Sequence, residues 1–409
     1  MRKCCTRSAL FIAVFALSCG NLSTSVIAAP KEAMIPAGAV VVLNLDNSNI
    51  SSARFVTFPN GRDEIVSIGQ SAMYWSWNSA PIVSELPHTG DPVPEGGEDR
   101  SPYYRDMLCV SRDGGRITLG GYSGFVERKL SDGTYLFSSG PMLEGISNVS
   151  YSDNGDLILL SGSGSVSLWD TAQRRKLRTL AKGTSFYDAS FNNLSTRIII
   201  ASNDTYLLNL IETRTGRLLK KYEIPFRSDE RAEGKGLNLP RFSIDGNFLF
   251  AAEMDQGRIH VWSSENQNEL HNIDVGEFAT YIVSKDNRTL IIGYKNGDVK
   301  FWRLKDFQIE KTIRTGMNPV ASLSESQERK MLLVNGEKEF QLIDLIANKI
   351  VATFFTAGNH GAVYTPRGFF ATDGDPHDAF KIIRGNEEIP LESFIQLNRS
   401  ANLAEAAKR

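Results

Sequence analysis

The chain has 409 residues, of which 22% are charged, and its formal net charge is −2. A balance so close to neutral excludes the basic field of a general nucleic-acid binder. Thirty-four glycines spread among many short apolar runs suit an all-β fold rich in turns, and no run after residue 30 approaches the ~20 apolar residues of a membrane-spanning helix.

The first element is a leader. Met1 to Arg7 is basic, Ala9 to Leu17 is apolar, and Val26-Ile27-Ala28 precedes Ala29-Pro30. This is the order of regions in a secretory signal peptide, which predicts a domain boundary at 28 and export to a bacterial periplasm. An alternative cut is at a leader of residues 1–18, because Ala16-Leu17-Ser18-Cys19 is similar to the lipobox of bacterial lipoproteins and would leave Cys19 as a lipid anchor. Three of the four cysteines lie in this leader. Cys109 is then alone, and is expected to be a buried, unreactive strand residue without an internal bridge.

From residue 39 to 385 the chain reads as short strands. Ala39 to Leu45 is a lone strand with no local partner. Four-strand units then follow one another, the clearest being Gly145 to Leu180, where Asn154-Gly155 and Ser163-Gly164 turns separate apolar runs. Marker positions in the third strands are Trp75, Arg128, Trp169, Asn209, Trp262, Trp302 and Ile343, at intervals of 53, 41, 40, 53, 40 and 41 residues. A period near 40 with four strands per unit is the signature of a β-propeller. Three weaker strands, at 361–365, 369–371 and 380–383, would join the strand at 39–45 in one blade and close the ring. The expected fold is therefore an all-β propeller of seven or eight four-stranded blades, closed by N- and C-terminal strands in one blade, with a C-terminal tail at 386–409. Eight blades is the favoured count; seven with a C-terminal flap is the alternative.

Ser152-Asp153-Asn154-Gly155, Leu168-Trp169-Asp170, Val261-Trp262 and Phe301-Trp302 resemble the WD40-repeat family over most of residues 50–357. The family's Gly-His before the first strand is missing from all seven units and the Trp-Asp pair occurs in one, so most of its inter-blade hydrogen-bond tetrad is not expected. The recurrent tryptophans are read as packing between neighbouring blades. The segment Tyr364 to Asp373 resembles the propeller tails of bacterial proteins that fuse WD40 repeats to a caspase-like peptidase. No peptidase segment follows it before Arg409, so that activity is not carried over.

The two long intervals come from insertions at 87–104 and 226–238, both between the fourth strand of one unit and the first of the next. They project from one face of a propeller, and Tyr103, Tyr104, Arg105, Phe226 and Arg227 at their edges are the candidate partner-binding residues. No elbow, paired-cysteine, metalloprotease or phosphate-loop motif is present, and the five histidines are scattered. No catalytic residue and no cofactor are expected. Asp373, Asp375 and Asp378 are weak candidates for a Ca²⁺ loop, although Asp378 and Arg384 stand where an EF-hand needs Gly and Glu. The favoured function is a non-enzymatic protein–protein interaction scaffold in the periplasm, docking on the insertion face. The alternatives are a propeller enzyme of lactonase or lyase type, and a small-ligand or glycan binder at the central channel.

Overall fold

The computed structural model describes residues 40–43, 50–57, 63–69, 72–75, 83–85, 107–121, 124–139, 146–203, 205–224, 236–265, 269–326, 330–358, 360–384, 387–392, 395 and 399–400. Local turn chemistry sets the repeat. In units two to six the first two strands are joined by one kind of turn, opened by Ser111, Ser152, Asn192, Ser243 or Ser284. The carbonyl of each accepts the N–H three residues on, at Gly114, Gly155, Ser195, Gly246 and Asn287, over 2.8–3.0 Å. The opening side chain also accepts an N–H five residues on, from Arg116, Leu157, Arg197 and Phe248, each at 2.9 Å. The fourth turn residue is left-handed, which glycine adopts freely at Gly155 and Gly246. Ser195 and Asn287 hold the same conformation without that freedom.

The strands pair into six sheets of four or six strands and one of three. Units one, two, five and six each form an antiparallel four-stranded sheet, beginning with Ile50–Thr57, Met107–Val110, Asn238–Phe242 and Phe278–Val283. Units three and four share a six-stranded sheet because Arg175–Phe191 runs on without a break. Its residues up to Phe186 pair with Leu157–Asp170, and Tyr187 to Phe191 pair with Arg197–Ser202. Unit seven is the other six-stranded sheet, because His360–Tyr364 and Phe370–Thr372 add at its outer edge. The expected count of seven or eight four-stranded blades is thus corrected to six blade sheets. The seven sequence units lie on them, two units to one sheet.

The proposed eighth blade does not form for a packing reason. Ile50, Ala53, Ile65 and Trp75 of unit one lie in one buried cluster with Leu333, Phe340, Leu342 and Phe354 of unit seven. Trp75 meets the Phe340 and Phe354 rings edge-on at 5.2 and 5.9 Å. Unit seven therefore meets unit one directly, and no face is left there for another sheet. The N-terminal strand Val40–Leu43 does pair with Phe380–Arg384, which pairs in turn with Glu387–Ile389. This three-stranded sheet packs through Val41, Leu43, Phe380 and Ile382 onto Phe355 and Phe370 of unit seven's sheet. Residues 387–389 are thus sheet and not tail, and Ser400 N–H donates to the Phe370 carbonyl at 2.7 Å.

Register also moves one marker. Ile198 faces Ile211 as Leu249 faces Trp262, so Ile211, not Asn209, holds the tryptophan position in unit four.

Candidate functional site

Three of the tryptophans pack between units. Trp75 packs against unit seven, Trp169 against Phe125 and Phe137 of unit two, and Trp262 against Tyr222 of unit four. Each sits in an apolar interface between successive units. The indole N–H of Trp75 donates to Ser67 Oγ at 2.8 Å and that of Trp169 to Ser167 Oγ at 3.0 Å. Trp262 Nε1 has no partner among the described residues, and its ring stacks on His260, which meets Glu253 at 3.0 Å in the core. The blades are tied instead by bonds between adjacent first strands and turns. Asn148 Nδ2 donates to Asp188 Oδ1 at 2.8 Å, Ser190 Oγ to the Pro240 carbonyl at 2.8 Å, and Tyr281 OH to the Leu239 carbonyl at 2.6 Å. Asp153 N–H donates to Ser195 Oγ at 2.6 Å and Ile244 N–H to Asn287 Oδ1 at 2.7 Å.

The first strand of every unit packs against the first strand of the next, so these strands surround the axis of the ring. Alignment on the turn-opening residue, and on the Trp75 and Ile343 registers for units one and seven, brings seven positions to one level: Arg54, Cys109, Ser150, Ser190, Arg241, Ile282 and Ser324. All seven are half-buried, whereas the residue before each (Ala53, Leu108, Val149, Ala189, Pro240, Tyr281, Leu323) is buried. Alternation in a strand thus turns one residue per unit toward solvent at this level and one into the core. Arg54 and Arg241 are the charged members of the layer.

A cleft of about 400 Å³ opens beside it, lined by Cys109, Ser150, Ser190 and Arg241 of the layer and by Arg112, Asp153 and Asn192 of the adjoining turns, among others. It lies at the C-terminal ends of the first strands. The insertion at 87–104 joins the opposite end of Met107–Val110.

Among the described residues the lining of this cleft holds one carboxylate, Asp153, paired with Arg112, and no histidine. Burial pushes the Cys109 thiol up from its ordinary value, which disfavours a nucleophilic thiolate. Behind it, Tyr151 OH donates to the buried Glu127 carboxylate at 2.7 Å, and Arg116 approaches that carboxylate at 3.6 Å. Burial raises Glu127 despite both partners. A phenol, a carboxylate and a guanidinium satisfy one another there.

The sequence-expected partner residues Tyr103, Tyr104, Arg105, Phe226 and Arg227 lie outside the described residues. Asp375 caps the short helix Pro376–Ala379, accepting from His377 N–H at 3.0 Å and meeting His377 Nδ1 at 2.8 Å. Among the described residues no group of three His, Cys, Asp or Glu side chains could hold a metal ion. The axial arginine layer was not singled out by motif. Its signal was the recurrence of Arg-Phe at 54–55 and 241–242 in the first strands of two units.

Over 244 residues, 56% of its length, the chain is 25% identical to a ribosome biogenesis protein WDR12 homolog from Drosophila mojavensis, and spans 52% of that protein. Over 150 residues, 36% of its length, it is 23% identical to a guanine nucleotide-binding protein subunit beta-like protein from Encephalitozoon cuniculi, and spans 43% of it. The chain therefore covers about half the length or less of these relatives. No family model matches the chain. Together with the sheet topology, these likenesses identify the fold as a WD40-like β-propeller.

Proposed function

We propose that this protein is a non-enzymatic interaction scaffold of the bacterial periplasm, presenting a rigid ring on which protein partners dock. The observation that carries this reading is the closure of the ring by direct packing of unit seven on unit one. Such closure buries the strand faces and leaves turns and loops as the surfaces that vary. The repeat period breaks at 87–104 and 226–238, and those insertions supply the primary docking face. The relatives' names, a ribosome biogenesis protein and a G-protein β-like subunit, are consistent with work done by assembly, and neither specific role is transferred to this chain. The export reading rests on the leader-like order of residues 1–30. The likeness of 364–373 to propeller tails in peptidase fusions brings no peptidase activity with it.

The test is a pull-down comparing the wild type with a variant lacking 90–101 and 228–236. Loss of wild-type partners is expected; an unchanged set removes the insertion face from the proposal. Cell fractionation with mass analysis of the mature N-terminus tests the address. A start at Ala29 supports signal-peptide cleavage, a lipidated Cys19 supports the anchored form, and an uncleaved cytoplasmic chain refutes export.

A further inference from the structure

The layer of half-buried residues around the axis carries an unbalanced charge. Arg54 and Arg241 occupy equivalent positions in units one and five, and their neighbours in the layer are three serines, a cysteine and an isoleucine. The Arg54 guanidinium donates from Nη1 to the Ala53 carbonyl at 3.0 Å and to Ser322 Oγ at 3.2 Å. That of Arg241 donates from Nη1 to the Pro240 carbonyl at 2.9 Å. Each head is thus folded back on the carbonyl of its own preceding residue. The same carbonyls also receive a bond from the neighbouring unit, Asn335 Nδ2 to Ala53 at 3.4 Å and Ser190 Oγ to Pro240 at 2.8 Å. The arginines are therefore held in place, and a guanidinium has five N–H donors, most of which have no partner among the described residues.

The countercharges nearby are engaged elsewhere. Asp188, two residues before the layer on its strand, accepts from Asn148 Nδ2 and from Ala189 N–H, both at 2.8 Å. Asp153 at the cleft rim is paired with Arg112. Among the described residues no carboxylate lies within ion-pair distance of Arg54 or Arg241. Burial lowers the Arg54 pKa from its ordinary value and the Arg241 charge adds to the effect, with Cys109 opposing it. A partly desolvated guanidinium without a carboxylate partner among the described residues is the arrangement that an incoming anion relieves.

We infer that Arg241 anchors an anion-binding site in the axial cleft, with Arg54 on the same level of the layer, and that the site receives a carboxylate side chain of a docked, extended acidic peptide. Resting on the scaffold reading, this names a second docking surface, at the C-terminal ends of the first strands. A peptide fits better than a free ion for two reasons. A cleft of about 400 Å³ is in the range that holds a multi-atom ligand. At its rim, in the turn that supplies Asn192, Asn193 and Ser195, Leu194 is 71% exposed. A cationic floor with an apolar side chain beside it matches an acidic residue flanked by an apolar one. Arginine's planar fork suits the carboxylate.

Fluorescence anisotropy of a short fluorescein-labelled Glu/Leu peptide against the full chain tests this. The wild type should bind it, and bind its Gln/Leu counterpart much more weakly. Arg241→Met should lower the affinity by roughly tenfold or more, the value of a charge-assisted bond. Arg241→Lys, which keeps the charge without the fork, should fall between. Arg54→Met is a second variant, read only with a native circular dichroism spectrum. No binding by the wild type, or equal binding by folded Arg241→Met, overturns the site. Arg241-dependent binding of inorganic phosphate without peptide binding overturns the peptide assignment. The chain lacking 90–101 and 228–236 should keep its peptide affinity, so the insertion face and the axial site can fail separately.

Discussion

The indole positions separate packing from hydrogen bonding. Trp75 and Trp262 occupy equivalent strand positions and both are fully buried. Trp75 Nε1 donates to Ser67 Oγ at 2.8 Å, and Ser67 is itself buried. Trp262 Nε1 is buried without a partner among the described residues. Replacement of either by Phe removes a similar apolar volume, a shared cost of about 1–3 kcal/mol. Trp75→Phe also loses a bond worth about 1 kcal/mol and strands the Ser67 hydroxyl. Trp262→Phe instead removes an unsatisfied donor, whose burial costs about 1–3 kcal/mol. Trp75→Phe should therefore be the less stable by about 2 kcal/mol. Urea unfolding followed by circular dichroism measures this as a difference in midpoint at constant slope. A Trp262→Phe variant as unstable as Trp75→Phe would refute the hydrogen-bond account and leave volume as the whole effect.

Two further perturbations can be read from the turns and from titration. Gly297 has φ of +87°, and a Cβ there would lie 1.9 Å from the Met317 carbonyl oxygen, whereas a Cβ on Gly246, at φ +74°, meets nothing within 4 Å. Gly246→Ala should cost about 1 kcal/mol, the left-handed penalty alone, and Gly297→Ala clearly more, seen as a larger drop in thermal midpoint; equal drops would mean the Met317 backbone yields freely. Tyr294 is pushed from 10.0 up to about 12 by burial, against the Trp302 N–H that meets its hydroxyl at 3.3 Å. A raised phenol binds its proton more tightly folded than unfolded, so its contribution is intact below pH 10.0 and is lost as pH rises towards about 12. Tyr294→Phe should flatten that part of the stability–pH curve, and an unchanged slope would show that the loss comes from other groups.

Much of the fold was legible because its signals are local. A Ser-x-Asp/Asn-Gly turn is specified by its own four residues, and Ser152-Asp153-Asn154-Gly155 closes in the structure through Ser152 and Gly155. A tryptophan recurring in the third strand marks an interface between units, since that residue is repeatedly buried whatever the neighbour. The unit-four marker slipped by two because Asn209 and Ile211 project from the same side of one strand, and period alone cannot choose between them.

What sequence by itself determined is the repeating four-strand unit, its turns, and the places where its period breaks, because hydrogen-bonding and alternation act within a few residues. How many sheets the units make, and what closes the ring, were tertiary decisions. They depended on whether Phe340 and Phe354 would pack against Trp75 or against an added sheet, a choice made between residues 265 and 279 positions apart. The axial site belongs to the same class. Arg54 and Arg241 are ordinary strand residues until closure brings units one and five around one axis, where two half-buried charges lack a carboxylate among the described residues.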